Sequence, residues 1–127
     1  MSDLVVDASV LLALLNQEGK VERRPVTLKS TAMSAVNSSE VVAKLAEAGM
    51  PEAEIRSTLD LLGVEIVAFD AGQAYQAGLL RPHTKAVGLS LGDRACLALA
   101  QKRGSPVLTM DRAWTRLQIG VEVRLMR

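Results

Sequence analysis

Four short segments each carry a carboxylate where a helix should begin, and they are the chain's strongest chemical signal. They are Val5-Val6-Asp7-Ala8-Ser9, Asn37-Ser38-Ser39-Glu40-Val41, Ser90-Leu91-Gly92-Asp93-Arg94 and Val107-Leu108-Thr109-Met110-Asp111. Asp7 and Asp111 directly follow short apolar runs that read as buried strands. In an open parallel α/β sheet, strand ends and helix starts share one edge, and ligands bind there. Four acids gathered at that edge repel one another unless a cation sits among them. Asp93 has Cys96 and Leu97 one turn on, and Glu40 follows Val36 by one turn. Both acids are therefore expected on inward helix faces, where a charge needs a partner. No Arg or Lys is an evident partner for all four. A hard divalent cation is, and an oxygen-only donor set favours Mg²⁺ or Mn²⁺ over zinc. Such a cation lowers the pKa of a water and neutralises charge on a phosphate.

Each acid taken alone has a simpler explanation. Asp7 and Asp111 suit the N-cap of a helix. Asn37-x-x-Glu40 has the form of a capping box. Asp93 falls in the first turn after Ser90, where its charge suits the helix dipole. Around the acids, Ser9 and Thr109 are candidates to orient Asp7 and Asp111, with ordinary turn hydrogen bonding as the competing role. Asn37 either faces the acids or caps its helix. Arg94 and Arg112 each follow a site acid and suit contact with a phosphate, or else are surface charge. The lone His83, in a polar stretch, and the lone Cys96, on an apolar helix face, offer no zinc ligand set.

The elements that must position these residues alternate along the chain. Leu4–Asp7 reads as a strand, followed by a nearly all-apolar helix over Ser9–Asn16. Residues 18–30 contain Pro25, which limits any helix there, and carry no assignment. Thr31–Ser34 is a strand candidate and Asn37–Ala48 a helix closed by Gly49. Pro51 opens a helix to Leu62, closed by Gly63. Val64–Phe69 alternates as a strand does, and Asp70 caps a helix to Leu80. Arg81–Leu89 reads as a loop or short helix. Ser90–Arg103 is a strong helix capped by Ser90 and stopped by Gly104. Pro106–Thr109, a short helix over Arg112–Gln118 and Val121–Leu125 complete the order. Five strands alternating with helices predict a parallel α/β domain spanning residues 1–127.

Composition sets the outer limits. The chain has 127 residues, of which 49% are hydrophobic and only 2% aromatic, so one aliphatic core is expected. Its single cysteine cannot close an internal disulfide, which fits a reducing cytoplasm. Met1-Ser2-Asp3 lacks the basic start of a signal peptide, and no apolar run approaches a membrane span. Net charge is +1, which argues against a coat for nonspecific nucleic-acid binding. The charge is uneven, however: residues 1–80 hold 6 basic and 11 acidic side chains, residues 81–127 hold 9 and 3. A basic C-terminal third can hold a phosphate backbone beside an acidic site.

The same residues resemble a family. Val5-Val6-Asp7-Ala8-Ser9-Val10-Leu11-Leu12-Ala13-Leu14-Leu15 resembles the opening motif of PIN-domain nucleases, and Met33-Ser34-Ala35-Val36-Asn37-Ser38-Ser39-Glu40-Val41 their second. Ser90-Leu91-Gly92-Asp93-Arg94-Ala95-Cys96-Leu97-Ala98-Leu99-Ala100 and Pro106-Val107-Leu108-Thr109-Met110-Asp111-Arg112-Ala113-Trp114 are similar to the third and fourth, in the style of VapC-type toxins. The resemblance runs over nearly the whole chain in the expected order, with Met110 where a smaller residue is more usual and residues 18–30 matching poorly. It implies a sheet order of 3-2-1-4-5, with the reversal between the strands that end near Asp7 and Thr109. It implies Mg²⁺ or Mn²⁺ held by Asp7, Glu40, Asp93 and Asp111, an RNA substrate, and a VapB-like antitoxin that covers the acidic edge. It also implies a homodimer, which the apolar excess supports, with exposed Leu and Ile of residues 37–62 as the candidate interface.

The function expected from sequence is therefore a metal-dependent endoribonuclease, the toxin of a toxin–antitoxin pair. A haloacid-dehalogenase-like phosphatase wants a second Asp two residues after the first, where this chain has Ser9. A response-regulator receiver wants an acidic pair after its first strand and a Lys after its last, and neither is present. A PIN-like binding module without catalysis is the non-enzyme alternative; the presence of all four acids argues against it.

Overall fold

A computed structural model describes residues 3–16 and 30–126. The stretch 18–30, left unassigned above, lies outside the described residues except for Ser30. The strands β1 (Leu4–Val6), β2 (Thr31–Ser34), β3 (Glu65–Val67), β4 (Val107–Thr109) and β5 (Val123–Leu125) form one five-stranded sheet in the order β3-β2-β1-β4-β5. Every pairing is parallel. The order reverses between β1 and β4, whose registers align Val5 with Val107 and Val6 with Leu108.

The strands are short and apolar because both faces are covered. Successive residues of a strand point to opposite faces. Val5, Ala32 and Val107 join one buried cluster, with Ala77, Leu97 and Trp114. Val6 and Met33 join the other, with Val10, Leu11, Val41, Leu45 and Ile55. The first face packs against α4 (Ala71–Leu79) and α6 (Leu91–Arg103), the second against α1 (Ala8–Asn16), α2 (Ala35–Glu47) and α3 (Glu52–Leu62).

Local chemistry sets the helix boundaries. Ser90 and Asp93 form a reciprocal capping box at the start of α6, and Gly104 closes the helix at φ 64°. Asp70 accepts the Gln73 N–H at 2.9 Å to open α4. Pro51 precedes α3, and Gly63 ends it at φ 74°. Residues 81–87 form α5 (Arg81–Thr84) and a 3₁₀ turn (Lys85–Val87), with His83 exposed.

Several boundaries differ from the sequence reading; β5, for one, begins at Val123 rather than Val121. Helix α2 begins two residues before Asn37, because the Ser34 hydroxyl accepts the Val36 N–H at 3.2 Å and takes the capping role. The helix expected over Arg112–Gln118 is a 3₁₀ helix over Arg112–Arg116, which Leu117 leaves in an extended conformation. β3 is confined to Glu65–Val67 rather than Val64–Phe69, since only residues 65–67 find partners on β2.

Residues 37–62 also differ from expectation. Leu45 and Ile55 are buried, and Leu59 and Leu62 pack against the same cluster. Both helices turn apolar residues into this cluster, leaving Leu61 (83% exposed) and the marginal Val42 as the exposed large apolar residues of that pair. Tyr75 and Leu79 on α4, and Leu91 at the start of α6, are exposed elsewhere. No helix among the described residues is long and apolar enough to cross a membrane.

Candidate active site

The four acids reach the sheet edge by different routes. Asp7 follows the last residue of β1 and precedes α1, so the strand-to-helix turn fixes its backbone. Asp111 stands two residues beyond β4, the neighbouring strand across the topological reversal. Asp93 lies in the first turn of α6, and Glu40 in the second turn of α2.

Asp7 is the buried member, 5% exposed. Its carboxylate accepts the Ser9 hydroxyl at 2.6 Å, the Thr109 hydroxyl at 2.6 Å and the Val10 N–H at 3.2 Å. The two hydroxyls have a second role. Ser9 Oγ accepts the Met110 N–H at 3.2 Å, and Thr109 Oγ1 accepts the Asp111 N–H at 3.1 Å. Each oxygen thus takes an amide proton from the β4 loop and sends its own proton to Asp7. Ser9 and Thr109 tie the two strand ends together through the Asp7 carboxylate. Burial pushes the Asp7 carboxyl above the ordinary carboxylate range; the hydrogen bonds from Ser9, Thr109 and Val10 oppose this, and the Asp93 charge adds to it.

The other acids are more open. Asp93 is half-buried, while Glu40 and Asp111 are exposed. Although Glu40 is exposed as a residue, its carboxylate lies back against the first turn of α6, where Asn37 donates to it. One Asp93 oxygen accepts the Ser90 N–H at 3.0 Å. Asp111 Oδ1 accepts the Ala113 N–H at 2.9 Å and opens the 3₁₀ helix, which Trp114 anchors in the core. Capping, offered above as the alternative reading for Asp7, Asp93 and Asp111, is thus present at all three.

Asn37 is buried and is not a cap. Its Nδ2 donates to Glu40 Oε1 at 3.1 Å and to the Gly92 carbonyl at 3.0 Å, bridging α2 to α6. Arg94 turns away from the acids, and its Nη1 donates to the Ala77 carbonyl at 3.0 Å, joining α6 to α4. Arg112 is exposed beside Asp111.

Cys96 shows how the charges are distributed. It is fully buried, and burial pushes its thiol well above the ordinary range, with the charges of Asp7, Asp93 and Glu40 acting in the same direction. These three acids therefore share one electrostatic neighbourhood. The ion pairs Arg56–Glu52, Arg103–Glu65 and Arg124–Glu122 lie elsewhere and neutralise none of them.

A hard divalent cation fits this donor set in kind: every group is a carboxylate, and the buried one lacks an ion-pair partner among those bridges. As the side chains stand, each carboxylate is turned to its own local donor. No group of three or more His, Cys, Asp or Glu among the described residues is arranged to hold a metal.

Comparison with known proteins gives the family. The PIN domain model matches residues 4–120. The chain belongs to the PIN domain family, whose nucleases are generally dependent on a divalent metal. Among solved structures, the fold matches a DNA-bound VapBC from Salmonella typhimurium at TM-score 0.73 and 16% identity, covering 98% of each chain. It matches VapC20 of Mycobacterium tuberculosis, a toxin that cleaves the sarcin-ricin loop, at TM-score 0.64 and 16% identity, covering 94% of this chain and 98% of that one. It matches the VapBC-5 toxin–antitoxin structure of the same organism at TM-score 0.55 and 25% identity, covering 97% and 96%. No curated protein matches the chain.

Gly92 and the Asn37 bridge to it had no signal in the sequence. The Ser90-x-x-Asp93 spacing carried the capping box, but nothing in one sequence brings Asn37 and Gly92, 55 positions apart, into contact.

Proposed function

We propose that this protein is a metal-dependent endoribonuclease acting in the cytoplasm, the VapC-like toxin of a toxin–antitoxin pair, with residues 1–127 forming one nuclease domain. The observation that carries the reading is Asp7. A buried carboxylate at the topological switch point, braced by two hydroxyls and with another acid raising its pKa, is poorly placed unless a cation joins it. The family match and the toxin–antitoxin neighbours support the same reading.

In this proposal Asp7, Glu40, Asp93 and Asp111 hold Mg²⁺ or Mn²⁺. The cation, when bound, supplies charge neutralisation on the phosphate and makes water a stronger acid. Ser9 and Thr109 keep the Asp7 carboxylate fixed in direction, so its charge needs no reorganisation during the reaction. Arg112, exposed at the same edge, contacts a substrate phosphate. Arg94 serves the α4–α6 contact instead, because its guanidinium is engaged by Ala77. Water attack opposite the leaving 3′-oxygen gives a 5′-phosphate and a 3′-hydroxyl.

The partners proposed are RNA, a VapB-like antitoxin that covers the acidic edge with a basic side chain, and a second copy of this chain. Expression of the wild-type chain in a host lacking the antitoxin should arrest growth with loss of intact RNA, and Asp7→Ala should not. Equal tolerance of both would remove the toxin reading.

A further inference from the structure

Gly92 sits in the first turn of α6, one residue before Asp93. Glycine is a poor helix former, and Gly92 is a helical residue with no side chain to contribute. The backbone does not call for glycine here. Gly49, Gly63, Gly88, Gly104 and Gly120 adopt positive φ, as glycine alone does readily, but Gly92 does not. The space beside it does call for glycine. A Cβ at Gly92 would meet the Glu40 carboxylate, 2.8 Å from Cδ and 2.8 Å from Oε1, closer than a Cβ tolerates. The carboxylate of Glu40 therefore rests where a side chain of residue 92 would stand.

Two further contacts keep it there. The Asn37 amide nitrogen donates both to Glu40 Oε1 and to the Gly92 carbonyl. Both neighbours are acceptors, so the amide can only face them with its nitrogen. The seat also lies over the N-terminal end of a 13-residue helix, where the backbone dipoles favour a carboxylate.

We propose that Gly92 is a positioning residue for the nuclease site: its missing side chain leaves the seat in which Asn37 holds the Glu40 carboxylate beside Asp93. The inference rests on the reading of Glu40 as a metal-holding acid. It separates site from fold in an unusual way. Glu40 has a long, exposed side chain that can swing aside, so a methyl at residue 92 is cheap for the fold and costly for the site.

The test is Mn²⁺ affinity by calorimetry, with thermal stability in metal-free buffer, for wild type, Gly92→Ala, Glu40→Ala and the double variant. Gly92→Ala should weaken Mn²⁺ binding about tenfold, as loss of a group that orients a metal ligand does, while keeping or raising the melting temperature. In the Glu40→Ala background the same change should have no further effect on affinity. Asn37→Ala provides a second variant if Gly92→Ala folds poorly, with the same dependence on Glu40 expected. Wild-type affinity in Gly92→Ala, with weakened binding in Glu40→Ala, would overturn the positioning role and leave the metal reading intact. So would an equal loss on adding Gly92→Ala to Glu40→Ala. Wild-type affinity in Glu40→Ala would overturn both.

Discussion

Asp7 is a buried carboxylate, and its titration has a definite sign. Its folded pKa is raised by burial and by Asp93 above the ordinary aspartate value of 3.8. Between the unfolded and the raised folded value, the folded protein binds more of this proton than the unfolded chain does. Stability from this group is fully present below the unfolded pKa and is lost as pH rises through the raised folded value. In metal-free buffer Asp7→Asn should match wild type in melting temperature near pH 4 and exceed it at pH 7. The amide oxygen can keep the Ser9 hydroxyl and the Val10 N–H, while the Thr109 hydroxyl, on the other oxygen, turns to accept from the amide nitrogen. Adding Mn²⁺ should reverse the order, because the cation stabilises only a protein that binds it. A variant less stable than wild type at pH 7 without metal would contradict this picture. The acids themselves were readable because short apolar runs followed by Asp are a local pattern. Their hydroxyl bridges were only half readable: Ser9 is two residues from Asp7, but Thr109 is 102 positions away.

At the scale of elements, the capping groups join stability to the site. Ser90 both accepts the Asp93 N–H at 3.2 Å and offers its own N–H to the Asp93 carboxylate. Ser90→Ala should cost about 1 kcal/mol of stability by urea denaturation, and an unchanged midpoint would show that the cap contributes nothing. Trp114 belongs to the same argument, since it pins the 3₁₀ helix that begins at Asp111. With no solvent exposure, its replacement by Ala should destabilise the protein by about 3–5 kcal/mol. A loss under about 1 kcal/mol would mean the site edge does not depend on that anchor. The elements were largely legible because caps and stops are written locally: Asp70, Ser90, Gly63 and Gly104 act at the positions their types predict. The start of α2 was not, because Ser34 and Asn37 are both good caps, and only tertiary contact draws Asn37 away to Gly92. The end of β3 was misjudged because pairing with β2, rather than its own alternation, decides where it stops.

For the whole molecule, the strand order was reachable only through family resemblance, since alternating strands and helices define a parallel sheet without fixing which strands are neighbours. The proposed homodimer belongs to this scale too. The face of residues 37–62 presents little apolar surface beyond Leu61 and Val42, whereas Tyr75, Leu79 and Leu91 stand exposed elsewhere. Light scattering at micromolar concentration should give twice the 13.6 kDa chain mass, and Tyr75→Asp with Leu79→Asp should weaken the dimer more than Leu61→Asp. A monomer in wild type would refute it.

The way an RNA is cut tests the proposed mechanism most directly. A defined RNA with a single 2′-deoxy substitution at the scissile nucleotide should be tested with Mg²⁺ and with EDTA, beside the unmodified RNA, and the product ends identified. Both RNAs should be cleaved with Mg²⁺ to a 5′-phosphate and a 3′-hydroxyl, and neither should be cleaved in EDTA. A cyclic 2′,3′-phosphate product, or undiminished cleavage in EDTA, would contradict the mechanism.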